Sequence, residues 1–180
     1  NLGAIKELNE LQELSDLLVR ALDELLDYQN YPVPAAYTAT MARRSLGIGV
    51  INFAYYMAKH GLHISDKEAN NLTHRTFEAL QYYLLMASNE LAKEKGACPK
   101  FNETDYAKGL LPIDRYKKEV DDLHNEPLHL DWDVLRQNIL KYGLRNSVVS
   151  TQMPSETSSQ VSNATNGIEF PRSSITIKSS

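Results

Sequence analysis

Residues 145–163 read RNSVVSTQMPSETSSQVSN and decide the fold of this chain. Residues 145–151 are short, apolar in part and rich in β-branched side chains, a pattern that predicts a strand. Residues 153–155 predict a tight turn, because proline fixes the backbone and serine favours turns. A short helix is then predicted from Glu156 to Ser162 or Asn163. This order of strand, turn and helix is typical of an α/β fold.

The rest of the chain continues the alternation of helical and extended patterns. A second buried strand is predicted at residues 46–51, and a third strand at residues 174–178. A loop is predicted between Pro32 and Ser45, since two prolines end the preceding helix. Helices are predicted over residues 5–28, 52–60, 66–95, 113–123 and 132–142. Strands separated by helices place the chain in the α/β class.

The helix over residues 5–28 carries a stripe of leucines. They recur every three or four residues with acidic residues between them, so this stripe is predicted to be the buried face. The same stripe leaves a second class of function open, a helical interaction module that binds a partner helix and has no catalytic activity. The leucines are Leu8, Leu11, Leu14, Leu18, Leu22 and Leu25.

Composition and charge exclude several classes of function. The 180 residues carry a net charge of −4, so no global field attracts nucleic acid or an anionic membrane. No apolar run approaches the length of a membrane span. The single cysteine, Cys98, cannot form an internal disulfide, and these features together favour the cytosol.

The start of the helix at Glu156 is the best candidate binding site. The first amides of a helix have no partner within it, and the helix dipole adds partial positive charge there. Thr157 and Ser158 add hydroxyl donors, so the turn can hold a phosphate without a lysine. The alternative is a plain helix cap by Ser155 with a solvated polar turn. Glu156 is compatible with a phosphate only if its amide, and not its carboxylate, faces the ligand.

Other motifs carry no assignment. Residues 47–49 hint at a dinucleotide fingerprint, but Asn52 stands where that motif needs glycine or alanine. His60, His63 and Asp66 are better read as a solvated connection than as a metal site. No catalytic residue and no metal ligand is predicted.

Six blocks of sequence together resemble one known family. Their similarity is to the large subunit of class I ribonucleotide reductase of the aerobic bacterial type, and it extends from Asn1 to about Lys178. The blocks are RSLGIGVINFAYY (44–56), TFEALQYY (76–83), ASNELAKE (87–94), GLRNS (143–147), MPSETSS (153–159) and NATNGIE (163–169).

The resemblance implies a fold, a reaction and a site. The fold is the helix-rich portion of a ten-stranded α/β barrel, with residues 1–180 as the C-terminal part of the reductase barrel domain. The reaction is reduction of ribonucleoside diphosphates to 2′-deoxyribonucleoside diphosphates by thiyl-radical chemistry, for DNA synthesis. The loop that holds the substrate diphosphate is assigned to Ser155, Glu156, Thr157 and Ser158. Phe170 departs from the family pattern, which has proline there.

The resemblance also implies groups and partners beyond this segment. The radical-bearing and reducing cysteines are expected upstream of Asn1, and the radical-relay tyrosines downstream of Ser180, so the segment alone is expected to be inactive. The whole protein is expected to use ATP and deoxynucleotide effectors and a radical from a metal-containing small subunit. Its implied partners are the remainder of the large subunit, a second large subunit in a homodimer, and thioredoxin or glutaredoxin.

Overall fold

The computed structural model describes residues 1–171 and residue 173. Six α-helices occur in this part of the chain, and short 3-10 turns connect them. The α-helices are α1 (Glu10–Tyr28), α2 (Pro34–Arg43), α3 (Phe53–Lys59), α4 (Lys67–Lys95), α5 (Trp132–Tyr142) and α6 (Glu156–Val161). The 3-10 turns are Leu2–Ala4, Phe101–Glu103, Asp105–Lys108, Pro112–Asp114 and Lys118–Asp122.

The predicted α/β class is wrong for the described residues, where no strand forms. The segments 46–51 and 145–151 are extended and run side by side, yet they share only one parallel bridge, between Ile48 and Ser150. Around it, the Ile48 amide donates to Val149 (3.1 Å) and the Thr151 amide donates to Ile48 (3.1 Å).

The reason for the broken pairing is a slip of one residue. The Leu46 amide donates to the carbonyl of Val148 (2.8 Å), where a regular parallel ladder would use residue 147. The ladder therefore stops after one bridge, as at a β-bulge. The third predicted strand, at residues 174–178, lies outside the described residues.

The helix predictions are mostly confirmed, with two errors. The long helix α4 and the helix α5 end at Lys95 and Tyr142, as the following glycines indicate. Residues 113–123 do not form a helix, but contain parts of two 3-10 turns. The loop predicted after Pro32 contains α2, which begins at Pro34 because proline is well suited to the first position of a helix.

The buried face of α1 is not the predicted leucine stripe. The buried side chains are Leu11, Ser15, Val19 and Asp23, which follow one another at intervals of four residues. The predicted stripe lies partly outside: Leu14, Leu18 and Leu25 are exposed, and so is Leu17. Because two of these four buried residues, Ser15 and Asp23, are polar, the hydrophobic pattern did not identify this face.

Helix α4 packs against both α1 and α5. The core between these helices is fully closed to solvent at Val19, Leu84, Leu85, Ile139 and Leu144. Burying such side chains stabilises the fold by roughly 1.5–3 kcal/mol each.

A buried polar network joins α1 to both extended segments. Asp23 is fully buried and accepts hydrogen bonds from Arg44 Nε (2.7 Å), Arg145 Nε (3.1 Å) and Asn146 Nδ2 (2.9 Å). Arg44 also donates to Asp27, and this hydrogen bond holds the pKa of Asp27 below its usual value. Because Arg44 lies just before the segment 46–51 and Asn146 lies at the start of the segment 145–151, the network fixes the relative position of the two segments.

No helix in the described part of the chain is both long enough and apolar enough to cross a membrane.

Candidate functional site

The four residues predicted to hold a phosphate lie together at the start of α6. Ser155 is the N-cap and the helix begins at Glu156, as predicted. The first hydrogen bond of the α-helical pattern runs from the Ser159 amide to the Ser155 carbonyl (2.9 Å). The amides of residues 156–158 therefore come before that pattern begins, at the positive end of the helix.

Ser155 is turned inward and braces the loop. Its side chain is buried, and its hydroxyl donates to Asn166 Oδ1 (2.8 Å) and accepts from the Gly167 amide (2.9 Å). Its own amide also donates to Asn166 Oδ1 (2.9 Å). The Ser155 side chain is thus committed to the protein.

The other three predicted residues are exposed. Glu156, Thr157 and Ser158 form the first turn of α6, and each is open to solvent. The Ser158 hydroxyl donates its one proton to the Ser155 carbonyl (3.2 Å), so in this arrangement that hydroxyl is not a donor to a ligand, contrary to the prediction. The exposed first turn carries backbone amides and the Thr157 hydroxyl group, and a helix start of this kind can bind an oxyanion.

The backbones of the extended segments 46–51 and 145–151 approach each other closely at Gly49. A Cβ on Gly49 would overlap the carbonyl oxygen of Thr151 and lie 2.9 Å from Met153 Sδ. Only glycine leaves room for this approach. The absence of a side chain at Gly49 therefore helps to set the path of the chain into the turn before Ser155.

Sequence reasoning missed the residues that hold this turn from outside. Asn166 accepts both hydrogen bonds from Ser155, and Asn52 contacts the neighbouring Thr165. Both asparagines stand in blocks that carry the family resemblance, but no local pattern connects positions so far apart in the chain.

A separate cavity of about 710 Å³ lies between α4 and the segment after Pro112. His74 and His124 line it, and their Nε2 atoms are buried without a hydrogen-bond partner. Glu78 is buried beside them and accepts hydrogen bonds from the His129 amide (2.8 Å) and from Trp132 Nε1 (3.0 Å). Among the described residues, no group of three His, Cys, Asp or Glu has the geometry to hold a metal ion.

Two further residues that the sequence analysis singled out, Cys98 and Phe170, lie outside the first turn of α6. Cys98 is buried, and burial raises the pKa of its thiol, which lowers its reactivity. Phe170 packs edge-on against Phe53, with 5.7 Å between the ring centroids. The residue that departs from the family pattern, Phe170, therefore makes an apolar contact with α3.

Comparison with known proteins gives a consistent result along the whole chain. A family model described as the ribonucleotide reductase barrel domain matches residues 3–180. The chain is 69% identical over 178 residues to the ribonucleoside-diphosphate reductase subunit alpha of Buchnera aphidicola from Acyrthosiphon pisum, covering 99% of the chain and 23% of that relative. It is 67% identical over 180 residues to the corresponding subunit of Haemophilus influenzae, covering all of the chain and 24% of the relative. It is 70% identical over 155 residues to the reductase 1 subunit alpha of Escherichia coli K12, covering 86% of the chain and 20% of the relative. The chain thus spans about a fifth to a quarter of the length of these curated relatives.

Proposed function

Since the chain belongs to the ribonucleotide reductase barrel-domain family, we propose that it is part of a large subunit that reduces ribonucleoside diphosphates, and that the start of α6 holds the substrate diphosphate. The observation that carries this proposal is the exposed first turn of residues 156–158, which precedes the first helical hydrogen bond. A diphosphate brings negative charge and several acceptor oxygens, and a helix start supplies donors and partial positive charge.

The residues of the turn have different tasks in this proposal. Thr157 binds through its amide and its hydroxyl group, and Ser158 binds through its amide, because the Ser158 hydroxyl donates to the Ser155 carbonyl. In this proposal Glu156 contributes through its amide rather than through its carboxylate. Ser155 shapes the turn through its buried hydrogen bonds to Asn166 and Gly167 and does not touch the phosphate with its hydroxyl.

The rest of the activity is proposed for the whole protein. It would use thiyl-radical chemistry on cysteines other than the buried Cys98, with the radical supplied by a metal-containing small subunit. ATP and deoxynucleotide effectors, a second large subunit, and thioredoxin or glutaredoxin complete the proposed set of ligands and partners. The relatives named above carry the name ribonucleoside-diphosphate reductase, which supports the substrate class.

A direct test compares three variants of the complete protein that contains this chain. Thr157→Pro removes one amide donor, and proline is tolerated in the first turn of a helix. Thr157→Ala removes the hydroxyl and γ-methyl groups of the side chain and keeps the amide donor. Asp133→Pro places the same proline at the second residue of α5, far from the turn, and controls for the general effect of proline.

The measurement is the dissociation constant of a ribonucleoside diphosphate by titration calorimetry, with the matching nucleoside as reference. A hydrogen bond to a charged group contributes about 1.5–3 kcal/mol, so Thr157→Pro is expected to weaken diphosphate binding roughly 10- to 150-fold. Nucleoside binding and the Asp133→Pro variant should match the wild type. Unchanged diphosphate binding by Thr157→Pro would refute the proposed site.

A second candidate function, a helical interaction module, is favoured by the exposed leucines of α1. Leu17 is 62% exposed and Leu25 is 50% exposed, which is unusual for a row of leucines on one helix. If this function is correct, a Leu17→Glu/Leu18→Glu double variant should no longer form a complex with a partner helix, as measured by analytical ultracentrifugation. The diphosphate affinity of that variant would stay at the wild-type value, which distinguishes the two functions.

A further inference from the structure

We propose that Asn52 is a positioning residue for the turn of residues 153–155, and that it acts through residues 165–167 to hold the first turn of α6 ready for a diphosphate. The proposal rests on the function proposed above. It concerns a residue that lies about a hundred positions before the turn in the sequence and does not itself contact the phosphate.

Asn52 is buried at the start of α3 and clamps the chain at Thr165. The Asn52 amide donates to the Thr165 carbonyl (2.9 Å), and the Thr165 amide donates back to Asn52 Oδ1 (3.0 Å). The Thr165 hydroxyl lies 3.4 Å from the same oxygen. Asn52 Nδ2 donates to Asn1 Oδ1 (2.9 Å), which fixes the orientation of the side-chain amide.

The clamp reaches the turn in two further steps. Asn166, which follows Thr165, accepts hydrogen bonds from the amide and the hydroxyl of Ser155 (2.9 and 2.8 Å). The Gly167 amide donates to Ser155 Oγ (2.9 Å). Asn52 is therefore joined to Ser155, the N-cap residue of α6, by two sets of hydrogen bonds that the backbone of residues 165–167 connects.

The surroundings of residue 52 favour asparagine over aspartate and glycine. The backbone at Asn52 is left-handed, with φ +70°, and asparagine tolerates this conformation better than most residues. Its carbonyl oxygen accepts from Thr165 while its NH2 group donates to Asn1. Aspartate would keep the acceptor but would set a buried negative charge against Asn1 Oδ1. Glycine would keep the backbone conformation and remove only the side-chain contacts.

The structure offers a matched control at Asn163. This residue also has a positive φ (+48°), and it lies just after α6, but its side chain is exposed. Asn163→Gly therefore makes the same chemical change at the same kind of backbone without touching the clamp. If Asn52→Gly does not fold, Asn166→Ala serves as a second variant. It removes the hydrogen bonds between Asn166 and Ser155.

The experiment uses the complete protein and two readouts. Hydrogen–deuterium exchange of peptides covering residues 153–159, without ligand, reports how firmly the turn is held. Titration with a ribonucleoside diphosphate reports binding. Asn52→Gly and Asn166→Ala are each expected to speed exchange and weaken binding about tenfold, the ratio expected for one lost hydrogen bond. Asn163→Gly should match the wild type in both readouts.

Two results would overturn the inference, and they differ. Unchanged exchange in Asn52→Gly would show that Asn52 does not position the turn, and the proposed function would still stand. Faster exchange with unchanged diphosphate affinity would show that Asn52 holds the turn but that the turn does not bind the diphosphate, so the proposed function would fail as well.

Discussion

Adding a single methyl group at Gly49 should displace the segment that leads into the turn before α6. The Cβ of Gly49→Ala would overlap the carbonyl oxygen of Thr151 and lie 2.9 Å from Met153 Sδ and 3.0 Å from Met153 Cε. The methionine side chain can rotate away, but the backbone carbonyl can move only with its segment. The shift required is roughly 1 Å, and overpacking of this kind costs about 1–3 kcal/mol.

The displaced segment leads directly into the turn, so the effect should reach the ligand. A displacement of about 1 Å in a group that positions a substrate can reduce turnover roughly 100-fold. The assay is ribonucleoside diphosphate reduction by the complete protein with its partners, together with the dissociation constant of the diphosphate. We expect weaker diphosphate binding and lower turnover in Gly49→Ala.

Gly47→Ala is the matched control. A Cβ at Gly47 would lie 2.9 Å from Thr151 Cγ2, a side-chain methyl group that can rotate out of the way. Gly47→Ala should therefore retain activity close to the wild type. The reasoning would be refuted if Gly49→Ala kept full affinity, or if both variants lost affinity equally.

Three further predictions concern the described structure as a whole. Asp23→Ala leaves the buried guanidinium group of Arg44 with one acceptor fewer. Because breaking a buried ion pair costs about 3–5 kcal/mol, the free energy of unfolding should fall by that amount, as measured by pulse proteolysis in urea. Asp114 has a lowered pKa because Arg136 hydrogen-bonds to it, so its stabilisation is complete above the pKa of an unfolded aspartate, about 4, and is lost as the pH falls through the folded pKa. Arg136→Met should therefore flatten this loss of stability in an acid titration; an unchanged slope would contradict the assignment. Cys98 should react with iodoacetamide at least roughly 100-fold more slowly in the native protein than in urea, since burial both raises its pKa and blocks access; equal rates would contradict its burial.

Local patterns were enough to predict the helices that end in clear signals. Gly96 and Gly143 follow α4 and α5 directly, and the predicted ends are confirmed. The four candidate site residues lie together because they are consecutive in the chain. Whether a diphosphate binds there is a question of chemistry that sequence pattern alone leaves open.

Long-range contacts account for the errors. The α/β prediction failed because a strand needs a regular neighbour, and the register of residue 46 against residue 148 breaks the ladder. The buried face of α1 was misplaced because Asp23 is buried through its contacts with Arg44 and Asn146, which no periodicity reveals. The clamp between Asn52 and Thr165 spans 113 positions and was invisible for the same reason.

A crystal structure of the complete protein with a ribonucleoside diphosphate bound would test most directly whether the start of α6 holds the diphosphate. We expect phosphate oxygens within about 2.7–3.2 Å of the amide nitrogens at the start of α6, on residues 157 and 158 in particular. We also expect that Ser155 Oγ stays on Asn166 and Gly167. A diphosphate bound elsewhere, with the first turn of α6 facing only solvent, would contradict the account.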